Sequence, residues 1–248
     1  MLTKVKSLIK VMANSLGYEI HKKPKSYQAQ PVNKAKPTII KEDSLLQTVA
    51  LMNFPPYDAA IHETVISCAD PVRFATLALA INQIRKNNIE GSFVEVGVWR
   101  GDTSRFIHLL APERTLYLFD TFEGFPSEDL ERDDDRFRDT SEEIVKKQIG
   151  DLNNIVIKKG YFPETTRGLE NEVFAFVLLD LDLYKPTLAG LNFFYPRMKS
   201  GGYIFAHDYN SPESNWAISR ATNEFMQDKP EKIVEIPDVW GSIVFRKI

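Results

Sequence analysis

Two spacings of apolar residues divide this chain into elements. Short apolar runs, alternating or continuous, mark strands, and apolar residues recurring every three or four positions mark helices. Strands are predicted at 92–96, 115–119, 154–158, 173–180 and 202–206, followed by two more at 232–236 and 242–246. Helices are predicted between them at about 102–110, 140–149, 186–198 and 213–228. Upstream, residues 57–89 read as helical. Pro71 suits a first turn after Asp70, and Phe74, Leu77, Leu79, Ile81 and Ile84 supply the apolar face. Strands alternating with helices imply right-handed crossovers and a parallel sheet covered on both faces. The last two strands are joined only by the turn at 238–241, so they must be antiparallel.

The first 43 residues follow another pattern. Leu2, Val5, Leu8, Ile9, Met12 and Leu16 fall on one helical face, flanked by Lys4, Lys6 and Lys10, and Gly17 can end the helix. Residues 22–43 are rich in Lys, Pro and Gln and read as a tether, so the folded domain is expected from Ser44 to the end of the 248-residue chain. Residues 1–41 hold nine lysines against Glu19, a net +8; with −3 overall, the remainder carries −11. An acidic body does not suggest a nucleic-acid binder, and none is expected as a partner. The basic helix suits peripheral contact with an anionic inner membrane surface, or docking on its own domain or a sister subunit. The apolar segment is interrupted by lysines and no cleavage pattern follows, which argues against a secretory signal. Cys68 is the only cysteine, which excludes an internal disulfide and fits the cytoplasm.

Candidate chemistry begins at the first strand, Phe93-Val94-Glu95-Val96-Gly97-Val98-Trp99-Arg100-Gly101, and continues at the end of the second, Leu116-Tyr117-Leu118-Phe119-Asp120. A glycine turn after a buried strand lets backbone approach a ligand, and an acid about 20 residues on can accept from two ribose hydroxyls. Dinucleotide sites carry a third glycine for the pyrophosphate. Here the spacing is Glu-x-Gly-x-x-x-Gly, and a carboxylate at Glu95 pointing into the turn repels phosphate. S-adenosylmethionine, with its sulfonium and ammonium, fits better than NAD. Glu95, Gly97, Gly101, Asp120, its neighbour Thr121, and Asp180 form the expected cofactor set.

A second group lies at the ends of two later strands: Asp180 and Asp182 in Leu179-Asp180-Leu181-Asp182, and His207-Asp208. If these strands are neighbours, three carboxylates and an imidazole converge. Crowded carboxylates call for a cation, and oxygen-rich sites suit magnesium or another hard divalent ion. Such an ion could acidify a substrate hydroxyl while a nearby carboxylate takes the proton. Some of these acids could instead cap helices. Between the two groups, residues 122–139 are acidic and read as a mobile lid that repels itself.

Five parallel strands and a terminal hairpin make the layout of an α/β, Rossmann-like class I methyltransferase with a seven-stranded sheet. Residues from about 60 to the end resemble the macrocin O-methyltransferase (TylF) family. The resemblance is carried by 93–101, by Phe-Asp-Thr-Phe-Glu-Gly-Phe-Pro at 119–126, by Gly-Tyr-Phe-Pro-Glu-Thr at 160–165, by Asp-Leu-Asp-Leu-Tyr-Lys-Pro-Thr at 180–187 and by Gly-Gly-Tyr-Ile-Phe-Ala-His-Asp-Tyr at 201–209. It implies a magnesium-dependent O-methyltransferase using S-adenosylmethionine, often oligomeric, with a sugar hydroxyl on a natural product or glycan as acceptor. By matching position, Asp180 and Asp208 would be metal ligands and Asp182 the general base, and Gly160, Tyr161 and Phe162 would border the adenine. His207 departs from the paired acids of the family. Imidazole favours softer metals, so the ion could be retained through Asp180, Asp208 and water, changed in identity with His207 as a ligand, or lost. If it is lost, His207 becomes a candidate base. His62 could also reach this rim, whereas His21 and His108 have no claim. The alternatives are a metal-independent methyltransferase on another hydroxyl or nitrogen, and a cofactor-binding protein without turnover.

Overall fold

A computed structural model describes residues 59–131 and 134–248. The predicted N-terminal helix, the tether and the boundary at 43/44 lie outside the described residues, as does the side chain of His62.

The helical stretch before the sheet is two helices, α1 (Ala59–Ser67) and α2 (Pro71–Lys86). Asp70 separates them, its side chain accepting from the Arg73 amide at 3.1 Å as an N-cap. On α2, Phe74, Leu77, Ala78, Ile81 and Ile84 are buried, but Leu79 is exposed because it falls out of their 3–4 spacing. Then come β1 (Ser92–Val96), α3 (Asp102–Leu110), β2 (Leu116–Asp120), α4 (Glu142–Ile149), β3 (Ile155–Lys159) and β4 (Phe174–Leu179). The chain finishes with α5 (Tyr184–Phe194), β5 (Met198–Ala206), α6 (Ala217–Phe225), β6 (Val234–Ile236) and β7 (Ser242–Arg246). The helices α5 and α6 are shorter than predicted, each passing into a one-turn 3-10 segment, at 195–197 and 226–228.

The seven strands form one sheet in the order β3-β2-β1-β4-β5-β7-β6. The first five are parallel, and β7 pairs antiparallel with both β5 and β6, as expected for the terminal hairpin. Alternating residues feed two cores. Phe93, Phe176 and Phe205 pack toward α2 and α3, and Val94, Val96, Val177, Leu179 and Ile204 pack on the opposite face with Leu191 and Phe194 of α5. Strand order reverses between β1 and β4, and ligands of such sheets lie at the carboxyl ends of the strands beside that point. There the Asp180 amide donates to Val96 O at 2.8 Å and the His207 amide to Leu179 O at 2.9 Å, placing both expected groups on one rim. Among the described residues, no helix is long and apolar enough to cross a membrane.

Candidate active site

A cavity of about 810 Å³ opens on that rim. Its lining includes Glu95, Gly97, Gly101, Asp120, Thr121, Gly160 and Phe162 from the first expected group. Asp180, Asp182, His207 and Asp208 line the same space. Tyr161 does not line it; its hydroxyl donates to buried Asp129 at 3.1 Å. Phe162 is almost wholly inside the core, edge-on to Phe119 and stacked on Phe194.

The turn after β1 is built for close approach. Gly97 has φ +89°, and a Cβ there would lie 1.9 Å from the Asp180 carbonyl oxygen. Asp120 holds this turn: Oδ2 accepts from the amides of Val98 and Trp99 at 2.8 and 2.9 Å, and Oδ1 from Phe122 at 2.7 Å. Glu95 differs from expectation. Strand alternation sends it toward α3, where it is 1 % exposed and accepts from the Ser104 hydroxyl. Burial pushes its pKa up to about 8, against the Ser104 hydrogen bond and the Arg73 charge. It is therefore largely neutral at pH 7 rather than a carboxylate aimed at a cation.

The second group converges as predicted. His207 Nδ1 lies 3.2 Å from both Asp180 Oδ1 and Asp208 Oδ2. Arg73, which no local motif singles out, reaches from the first turn of α2 to Asp180 Oδ2 at 2.5 Å. Burial favours a protonated Asp180, but Arg73 and His207 outweigh it and hold the carboxyl well below its usual range. Burial likewise opposes charge on His207, yet Asp180 and Asp208 lift it to about 10. The two acids thus favour the protonated imidazole, which counts against His207 as the base. Asp182, at φ +58°, has the opposite fate: burial first, then the charges of Asp208 and Asp180, raise its pKa well above a normal carboxyl.

The spacing of Asp180, His207 and Asp208 suits one divalent ion, since a donor atom from each lies within 4.8 Å of the others. The donor chemistry fits less simply. An ion held by Nδ1 must displace its proton, and Asp180 already has a guanidinium and an imidazolium as partners. The cationic side chains therefore meet much of the charge that the sequence assigned to a metal. His207 also adjoins Asp70 and Asp238 on its other side, where Nε2 and Asp238 Oδ1 are buried without a hydrogen-bond partner.

Residues 122–139 form a wall of the cavity through Gly124, Phe125, Pro126, Asp129, Arg136 and Phe137. Several of its acids find cations elsewhere in the fold, which offsets the expected self-repulsion. Glu131 accepts from Arg220 at 2.7 Å and Asp129 lies 3.6 Å from Lys185, while Asp139 pairs with Arg100 and accepts from Trp99 Nε1. Arg136 binds Asp134, reaches Glu213 at 3.1 Å, and brings Nη2 to 3.8 Å from Asp182. Its guanidinium lies over the rings of Phe125 and Phe137. Arg73 and Arg136 escaped sequence reasoning because the acids that bring them to the site, Asp180 for Arg73 and Asp182 and Glu213 for Arg136, are distant in the chain; the Asp70-Pro71 cap is a local sign only that a helix starts beside Arg73.

A profile of the macrocin-O-methyltransferase (TylF) family matches residues 8–247. Demethyldecarbamoylnovobiocin O-methyltransferase of Streptomyces niveus is 26% identical over 156 residues, 55% of this chain and 60% of that one. A tetracenomycin-C 4'-O-methyltransferase of Streptomyces olivaceus, whose named substrate carries a dimethoxy-rhamnosyl group, is 27% identical over 156 residues, again 55% and 60%. These matches thus span 60% of the relatives' length. The crystal structure of CalS11, a calicheamicin methyltransferase, shares the fold at TM-score 0.61 and 18% identity, over 90% of this chain and 99% of that one. With nearly its whole length matched by the profile, and with the glycine turn, strand-end acids and reversed strand order in place, the chain belongs to the macrocin-O-methyltransferase (TylF) family.

Proposed function

We propose that the protein transfers a methyl group from S-adenosylmethionine to a sugar hydroxyl of a glycan or glycosylated natural product. The observation that carries this reading is one cavity lined both by the Gly97–Asp120 corner and by Asp180, Asp182 and Asp208. S-adenosylmethionine supplies a methyl already activated on sulfur, so the chain need only align an oxygen with it and remove a proton. Gly97 and Asp120 border the adenosine ribose, Gly160 and Phe162 the adenine, and Asp180 the amino-acid end. Asp182 is the base: its carboxyl lines the same cavity beside the cofactor corner, placed to take the hydroxyl proton as the C–O bond forms and the C–S bond breaks. The products are S-adenosylhomocysteine and a methyl ether. Family membership and the rhamnosyl substrate in a relative's name support a sugar acceptor.

The donor spacing of Asp180, His207 and Asp208 favours a second reading, in which a divalent ion held there orients the acceptor hydroxyl. The basic arm at 1–43 supports peripheral contact with an anionic membrane from the cytoplasmic side, or pairing of subunits in a homo-oligomer. The test is incubation of the full chain with S-adenosylmethionine and a sugar panel, reading S-adenosylhomocysteine and methylated product, with and without exhaustive chelation. Product that survives chelation removes the metal reading alone. No product from any sugar, with no cofactor binding, removes the activity. Liposome sedimentation and light scattering of the full chain against one starting at Ser44 separate the two roles of the arm.

A further inference from the structure

Arg73 is a strong cation set into the floor of the cavity, with its side chain only 13% exposed. One edge of its guanidinium meets Asp180 Oδ2 at 2.5 Å, while its Nε is buried without any acceptor. A buried donor without a partner is costly, and its persistence at a binding cavity needs a reason. The amino-acid end of S-adenosylmethionine is itself an ion pair, an ammonium beside a carboxylate. A floor that presents a carboxylate and a guanidinium side by side is complementary to that zwitterion: ammonium against Asp180, carboxylate against Arg73. The other groups expected at the cofactor do not serve the carboxylate. Asp120 is an acceptor, and Glu95 is turned to Ser104. His207 donates between two acids.

We infer that Arg73 clamps the α-carboxylate of the cofactor and exchanges part of its contact with Asp180 for that carboxylate on binding. The inference rests on the cofactor reading above and adds a residue to it. It also explains why Asp180 is paired in the free protein. Without Arg73, a half-buried carboxylate awaiting the ammonium would have only His207 to balance it.

The test compares two ligands on the full chain by calorimetry: S-adenosylhomocysteine, and 5'-methylthioadenosine, which has the same nucleoside and thioether but no amino-acid end. Arg73→Gln is expected to weaken S-adenosylhomocysteine by at least about tenfold, as for loss of a hydrogen-bonded charge, and to leave methylthioadenosine within about twofold. Arg73→Lys keeps the charge without the planar fork and is expected to fall between wild type and Arg73→Gln. If Arg73→Gln does not fold, the lysine variant alone decides: selective loss of S-adenosylhomocysteine supports the clamp. Equal loss of both ligands, or loss of neither, overturns it. Failure of wild type to bind either ligand would overturn the cofactor reading itself, and the clamp with it.

Discussion

Replacing Gly97 by alanine tests whether the β1–β4 corner is the structural centre of the site. Its Cβ would lie 1.9 Å from the carbonyl oxygen of Asp180 and 2.8 Å from the carbonyl carbon. Both are backbone atoms, so no side chain can swing aside. The φ of +89° adds strain of about 1–2 kcal/mol for a residue with a Cβ. Forcing a methyl into packed backbone costs about 1–3 kcal/mol more. The expected total is about 2–5 kcal/mol, or roughly 4–20 °C in Tm for a domain of this size. Gly150→Ala is the control: its φ is +80°, but no atom lies within 4 Å of the added Cβ, so it should show the strain alone. Relief of the clash must part the tips of β1 and β4, which are tied by the Asp180 amide to Val96 O. Asp180 moves with its backbone, and affinity for S-adenosylhomocysteine should fall by about tenfold or more. Thermal unfolding and calorimetry read both effects. A Gly97→Ala protein no less stable than Gly150→Ala, and binding like wild type, would refute the reasoning.

Asp182→Asn should lower turnover by about 10²–10⁴ and leave S-adenosylhomocysteine affinity nearly unchanged; comparable turnover would remove Asp182 as the base. Trp99→Ala removes the edge contact with Phe137 and the indole bond to Asp139, so hydrogen exchange across 122–139 should accelerate, whereas bound cofactor and product should slow it in wild type. An unchanged exchange rate in the variant would show that other contacts hold the segment. Glu231 offers a pH test away from the site. Burial raises its pKa, but Lys247, the Ile248 amide and Tyr195 outweigh this and bring it from 4.5 to about 2. Its contribution to stability is complete above pH 4.5 and is lost as pH falls toward 2, by about 1–3 kcal/mol. Glu231→Gln should flatten that stretch of the urea stability–pH curve, and an identical acid limb would contradict the assignment.

The fold was largely legible because its signals are local. Apolar runs such as 174–179 announce buried parallel strands whatever lies around them, and the short turn at 238–241 forces an antiparallel hairpin. The strand-end positions of Asp120, Asp180 and Asp208 followed from the same periodicity, so the rim was legible too. The helical stretch at 57–89 is two helices, the second starting at the Asp70-Pro71 signal that the sequence displays.

What only tertiary structure decided is the electrostatic state of the rim. The residue types at positions 95, 180, 182 and 207 were plain from the sequence, but their charges were not. Glu95 is largely neutral because alternation buries it against Ser104, and His207 is cationic because two acids flank it. Asp180 stays ionised because Arg73, 107 residues earlier in the chain, lies against it. The acidic 122–139 segment reads as self-repelling until Arg100, Lys185 and Arg220 arrive from other elements. Periodicity and turn chemistry act over a few residues, so sequence alone determined the strands, the parallel run with its terminal hairpin and the strand ends where chemistry gathers, whereas the order of the strands came with the fold. Desolvation and Coulomb energy depend on which groups are close in space, so ionisation and pairing on that rim were settled only when the chain folded.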